Sequence, residues 1–142
     1  MIKPIIQTIK EKAKTDPKRI VYPEGEEDRI LTAVDKIIKQ KIAIPVLIGN
    51  KEIIQKKIRS LKLKNLKNVE IHDPKNSDNT RKFANEFYEA RKDKGVTLAD
   101  ARKMMKDPIY FATMMVHLDY ADGLVGGSTT TTADTIRPAL QI

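Results

Sequence analysis

The chain has 142 residues, 40% of them hydrophobic and 32% charged, with a formal net charge of +8 and a pI near 9.6. Such a chain suits one domain that buries about two-thirds of the surface of its unfolded form; it is too short for two ordinary domains, and its composition excludes a disordered one. It contains no cysteine, which excludes disulfides, thiolate catalysis and Cys-ligated metals.

Ile2, Ile5, Ile6, Ile9 and Ala13 recur at helical spacing, so an amphipathic opening helix is expected to run up to Asp16-Pro17 and to pack through its apolar side. Residues 19–22, bounded by prolines, read as a first strand, and 23–29 as a loop rich in acids. The helix expected over 28–40 carries Ile30, Leu31, Val34, Ile37 and Ile38 on one side, and the acids before it read as solvated caps. Arg29 is anomalous there, because a cation in the first turn opposes the helix dipole and needs an anion or a neighbouring acid to hold it. Residues 42–48 read as a buried second strand, followed by a helix over 51–61 capped by Asn50. Alternating strands and helices predict parallel pairing.

A third strand is expected over 69–72 and a helix from Thr80 to about Lys94, stopped by Gly95. Arg91 lies in its last turn, where a cation complements the dipole. Thr97 and Asp100 form a capping-box pattern for a short helix through Lys106, and Asp107-Pro108 starts another over 109–118. Met104, Met105, Met114 and Met115 fall at core spacing. The predicted fold class is α/β: a three-layer αβα unit with a mostly parallel sheet.

The last stretch, 121–142, is the most informative. Leu124 and Val125 suit a short strand end, Gly126 and Gly127 a sharp turn with close backbone approach, and Ser128, Thr129, Thr130, Thr131 and Thr132 supply hydroxyls. A helix capped by Asp134 or Thr135 then carries Arg137 in its first turn, where Pro138 is tolerated. Free backbone donors, hydroxyls and a guanidinium converging at a helix start make an anion site.

Residues 121–142 closely resemble the signature of the phosphate acetyl/butyryltransferase family, Asp-Gly-x-Val-Ser-Gly-Ala-x-His-(Ser/Thr)-(Ser/Thr)-(Ser/Ala)-Asp-Thr-x-Arg-Pro-Ala-x-Gln-Ile. Residues 20–31 and 87–97 fit the same family, so the resemblance spans the chain. Gly126-Gly127-Ser128 stands where the family has Ser-Gly-Ala, and Thr130 replaces its usual His. The resemblance implies an isocitrate/isopropylmalate-dehydrogenase-like fold in which two α/β domains face each other across a cleft, with residues 1–142 as the N-terminal α/β domain. It implies interconversion of acetyl-CoA and phosphate with acetyl phosphate and coenzyme A. It assigns Arg29, Arg91, Gly127, Ser128, Thr129, Thr130, Thr131 and Thr132 to substrate binding and Arg137 to catalysis. Catalytic groups from the family's far C-terminal part lie outside this chain, so the chain alone is expected to be inactive. Alternatives are a phosphate butyryltransferase-like enzyme, an acyltransferase domain fused to another enzyme, or a non-catalytic anion or coenzyme A-binding module.

No bound cofactor or metal is expected, coenzyme A and acetyl-CoA entering as substrates; His72 and His117 are far apart and lack the carboxylate spacing of a metal motif. The positive charge is mostly lysine spread along the chain, without aromatics interleaved among basic clusters, which argues against nucleic acid and suits a polyanionic small molecule. Neither a signal-peptide core nor a membrane span is evident, and a cytoplasmic protein is expected, a homodimer when full length.

Overall fold

The computed structural model describes residues 2–142, apart from the side chains of Ile2 and Lys3, so the packing expected of Ile2 lies outside the described residues. Helix α1 (Ile2–Thr15) leads to strand β1 (Lys18–Tyr22), helix α2 (Asp28–Gln40), strand β2 (Ala43–Ile48) and helix α3 (Lys51–Ser60). A 3-10 turn (Lys64–Leu66), strand β3 (Glu70–His72), helix α4 (Asn79–Arg91) and a second 3-10 turn (Lys92–Lys94) come next. Helices α5 (Leu98–Met104) and α6 (Pro108–His117), strand β4 (Gly123–Leu124) and helix α7 (Thr132–Gln141) complete the order.

The four strands form one parallel sheet in the order β3-β2-β1-β4. Alternation along the strands feeds two cores. Val21, Val46 and Ile48 join Phe83, Phe87, Phe111, Met105, Met114 and Met115 from α4, α6 and the end of α5. Tyr22 and Leu47 point the other way and join Leu31, Val34 and Ile54 from α2 and α3. Each of these large side chains, buried, contributes roughly 1.5–3 kcal/mol. Helices on both faces of a parallel sheet are the three-layer α/β arrangement expected, and the methionines at 105, 114 and 115 lie in the core.

Local signals explain most of the boundaries. Asn50 Oδ1 accepts from the Ile53 N–H at 3.0 Å and caps α3. Thr97 and Asp100 close a reciprocal capping box. Asp107 caps α6, with Pro108 in the first turn. Gly95, at φ 86°, takes the left-handed conformation that ends the α4 segment.

Two expectations fail. The apolar stripe of α1 does not pack: Ile5 is 61% exposed and Ile9 62%, because the helix stands outside both cores. The helix of the C-terminal stretch starts earlier than expected. Thr131, not Asp134 or Thr135, is its cap, accepting from the Asp134 N–H at 3.1 Å. Any of several consecutive threonines can cap, but the hydroxyls of Thr129 and Thr130 are engaged with Glu24, and Thr131 is the next in the run. Arg137 and Pro138 consequently sit in the second turn, with Pro138 inside the helix.

Gly25 shows how tightly the end of β1 is fitted to β2. Its N–H donates to the Ile48 carbonyl at 3.1 Å, and a Cβ there would lie 2.6 Å from that same oxygen. Gly25→Ala is therefore expected to cost about 1–3 kcal/mol of stability. Gly123→Ala, whose Cβ would meet nothing closer than 3.4 Å, should cost only about 0.5 kcal/mol. Urea unfolding of the two variants checks the difference; equal losses would show that the β1–β2 contact is not rigid.

Candidate functional site

In a parallel sheet, ligands bind beyond the carboxyl ends of the strands where the chain order reverses direction. With the order β3-β2-β1-β4, that point lies between β1 and β4. The loop after β1 holds Pro23, Glu24 and Gly25, and the loop after β4 holds the Gly-Gly-Ser-Thr run, so the topology alone brings these two segments together.

Glu24 reaches into the second loop and takes up its donors. One carboxylate oxygen accepts the N–H groups of Gly127 at 2.7 Å and Ser128 at 2.8 Å. The other accepts the N–H of Thr129, the N–H of Thr130 at 2.9 Å, and the hydroxyls of Thr129 at 2.7 Å and Thr130 at 3.3 Å. Successive N–H groups turned to one side make a concave anion cradle, and Gly127, at φ 102°, provides the left-handed residue that turns them. Partial burial pushes the Glu24 carboxyl up, but the donors of Thr129, Ser128 and Thr130 outweigh it and hold the pKa down at about 2. Glu24 is thus a carboxylate at any physiological pH.

Around this clasp the predicted residues fall into place unequally. Arg29, at the start of α2, donates from Nη2 to the Ser128 carbonyl at 3.1 Å, so the anomalous cation is tied to the loop. Thr131 caps α7 and its hydroxyl donates to Asp134 at 2.9 Å, while Thr132 is the first helical residue. Arg137 donates from Nη1 to the other oxygen of Asp134 at 2.9 Å, and the hydroxyl of Thr131 with this guanidinium holds the Asp134 carboxyl below its usual range. A cavity of about 420 Å³ opens beside the clasp, with Glu24, Tyr110, Thr129, Thr130, Asp134 and Arg137 in its wall.

Arg91 ends α4 and does not itself line that cavity, although it lies near Tyr110 in the wall. Burial pushes the Tyr110 hydroxyl up while Arg137 and Arg91 both pull against it, so the two guanidinium groups act on the same ring from different elements. Tyr110 itself donates to Gln141 at 2.7 Å. Among the described residues, Arg91 Nε is the one buried side-chain polar atom without a hydrogen-bond partner. An unspent buried donor of this kind calls for a ligand or a neighbour.

Sequence reasoning missed Glu24. It placed the acids of 24–28 together as solvated caps of α2, yet Glu27 makes no side-chain cap bond. Glu26 instead accepts from the Asn50 N–H at 3.1 Å, and Asp28 pairs with Lys57 at 3.1 Å. The available signal was complementarity: a loop expected to expose several N–H groups, and a carboxylate at the end of the neighbouring strand. His72 and His117 are outside the site; His72 contacts Glu70 at 2.7 Å and His117 is exposed. Among the described residues no group of three or more His, Asp or Glu is arranged to hold a metal ion, and no helix is long and apolar enough to cross a membrane.

Comparison with known proteins identifies the family of the chain. The pattern of the phosphate acetyl/butaryl transferase family matches residues 4–142. The phosphate acetyltransferase of Clostridium acetobutylicum is 48% identical over 138 residues, which are 97% of this chain and 41% of that protein. That of Bacillus subtilis is 44% identical over 138 residues, 97% of this chain and 42% of that one. Among solved structures, a phosphotransacetylase from Streptococcus pyogenes superimposes with a TM-score of 0.94 at 34% identity, over 100% of this chain and 43% of the other. The EutD phosphotransacetylase from Staphylococcus aureus does so with a TM-score of 0.88 at 34% identity, over 98% and 42%. The chain spans about two-fifths of the length of these relatives. On the family pattern and on the identity that runs through almost all of its length, the chain belongs to the phosphate acetyl/butaryl transferase family.

Proposed function

We propose that this chain is the N-terminal α/β domain of a two-domain acyltransferase, of isocitrate/isopropylmalate-dehydrogenase-like fold, that interconverts acetyl-CoA and phosphate with acetyl phosphate and coenzyme A. The observation that carries the reading is the position of the signature loop: it lies at the β1–β4 reversal, with Arg137 in the wall of an adjoining cavity. Coenzyme A and acetyl-CoA act as substrates. The whole enzyme is a cytoplasmic homodimer in this reading.

The chemistry follows from the charges. A phosphate oxygen attacks the thioester carbonyl, a tetrahedral oxyanion forms, and its collapse expels the coenzyme A thiolate. Both substrates carry phosphate and the intermediate carries new negative charge, so fixed cations help at every stage. Arg137 is the catalytic candidate: Nη1 is engaged with Asp134, which leaves the rest of the guanidinium fork to the cavity. Arg91, whose charge acts on Tyr110 of the cavity wall together with that of Arg137, is assigned in this reading to a phosphate of the coenzyme. Arg29 supports the loop through Ser128, Thr129 and Thr130 stand in the cavity wall, and Gly127, Ser128, Thr131 and Thr132 belong to the substrate side in this reading as the rest of the same signature run.

Calorimetry with coenzyme A is the direct test. Arg137→Ala and Arg91→Ala are each expected to weaken binding by more than about 1.5 kcal/mol, the lower end for loss of a charge-assisted hydrogen bond. Binding that survives both changes would remove these residues from the substrate site. The isolated 142-residue chain should show no acetyl phosphate turnover, because only one wall of the cleft is within it; turnover by the chain alone would overturn the two-domain reading.

A further inference from the structure

The Glu24 carboxylate occupies the spot at which the loop's donors converge. Two oxygens take four backbone N–H groups and two hydroxyls from residues 127–130. This is the coordination that a free oxyanion would receive in such a cradle. The partners are about a hundred residues apart in sequence, and each is set by its own strand: Gly25 locks the first loop to Ile48, and the Val125 N–H donates to the Val21 carbonyl at 3.0 Å at the start of the second. A Cβ at Gly126 would press on the Pro23 ring at 3.2 Å and come 3.7 Å from the Glu24 carboxylate. The second loop is therefore shaped to receive this side chain.

We propose that Glu24 is a positioning residue that serves as a built-in anion: its carboxylate fills the cradle of residues 127–130 and holds the loop in its working shape. An oxyanion in the adjoining cavity then meets the Arg137 side and not the loop's backbone donors. The loop is preorganised before substrate arrives, which spares binding the cost of ordering it. A second anion is also kept from the cradle, since it would have to displace a carboxylate held by six donors. The low pKa of Glu24 accords with such an occupant.

The test uses NMR of the backbone amides of Gly127, Ser128, Thr129 and Thr130, with formate and inorganic phosphate as probes. In the wild-type chain these amides should exchange slowly with solvent and keep their positions as either anion is added. In Glu24→Ala they should exchange at least about tenfold faster, the factor that corresponds to loss of one charge-assisted bond, and formate or phosphate should restore both position and protection. Glu24→Gln should lose protection without recovery, because the amide still fills the space but brings an N–H group toward other N–H groups.

Wild-type amides that move with phosphate as readily as those of Glu24→Ala would overturn the proposal. So would a Glu24→Ala loop that ignores both anions, or full protection in Glu24→Gln. Unfolding of both variants without recovery in formate would also count against it, since Glu24 would then be a requirement of the fold and not a ligand of one loop. The experiment involves neither coenzyme A nor an acyl group, so its failure is distinct from failure of the acyl-transfer reading.

Discussion

The clasp between Glu24 and residues 127–130 joins the ends of β1 and β4, and the geometry of the site depends on it. Strand β4 is only two residues long and pairs with β1 alone. So short a strand contributes little by itself to fixing the loop at its end. The carboxylate adds several charge-assisted bonds just beyond the last strand pair, each stronger than a neutral one. Helix α7 is then launched from a fixed point, with Thr131 capping it and Arg137 in its second turn. Moving Glu24 would loosen the loop, the cap and the guanidinium together.

The sheet supplies the rigid side of this joint. Its two faces are buried by different helices, so Val21 and Tyr22, neighbours in sequence, anchor β1 in opposite layers. Slipping β1 by one residue would exchange these faces and bury the wrong set. The periphery is different. Ile5 and Ile9 on α1 and Leu140 on α7 are exposed at 61%, 62% and 80%, although their spacing is that of helices with an apolar side. The energetic weight therefore lies in the sheet and in α2 to α6, and the two end helices add little burial to it.

Most of the elements were legible in the sequence because their signals are local. Asn50, Thr97 with Asp100, and Asp107-Pro108 each mark a helix start through contacts within three residues, and each does so in the structure. The alternation of strands and helices led to a mostly parallel sheet, and the structure has four strands that all pair in parallel. The clasp was not legible, because Glu24 finds its partners more than a hundred positions away and its immediate neighbours are acids with other tasks. Arg29 was half legible: its conflict with the helix dipole showed that it needed a partner, and the partner is the carbonyl of Ser128. The helix start at Thr131 was misplaced because adjacent threonines offer several chemically equal caps.

The charge balance bears on how an anion is recognised here. The chain carries +8 overall, which would suit long-range attraction of a polyanion. The wall of the cavity does not share that excess: Glu24, Glu26, Glu27, Asp107 and Asp134 stand there with Arg137. A diffuse field is therefore a poor account of selectivity at this point. Four of the carboxylates are already engaged, Glu24 by the loop, Glu26 by the Asn50 N–H, Asp107 by the Ile109 N–H, and Asp134 by Thr131 and Arg137. Their charge is offset by directed donors, and the donors that remain are few and held in place, foremost the rest of the Arg137 fork. Recognition then depends on whether an anion can meet those fixed groups in the right geometry, which charge alone does not provide. A lysine in place of Arg137 would keep the net charge and lose the fork.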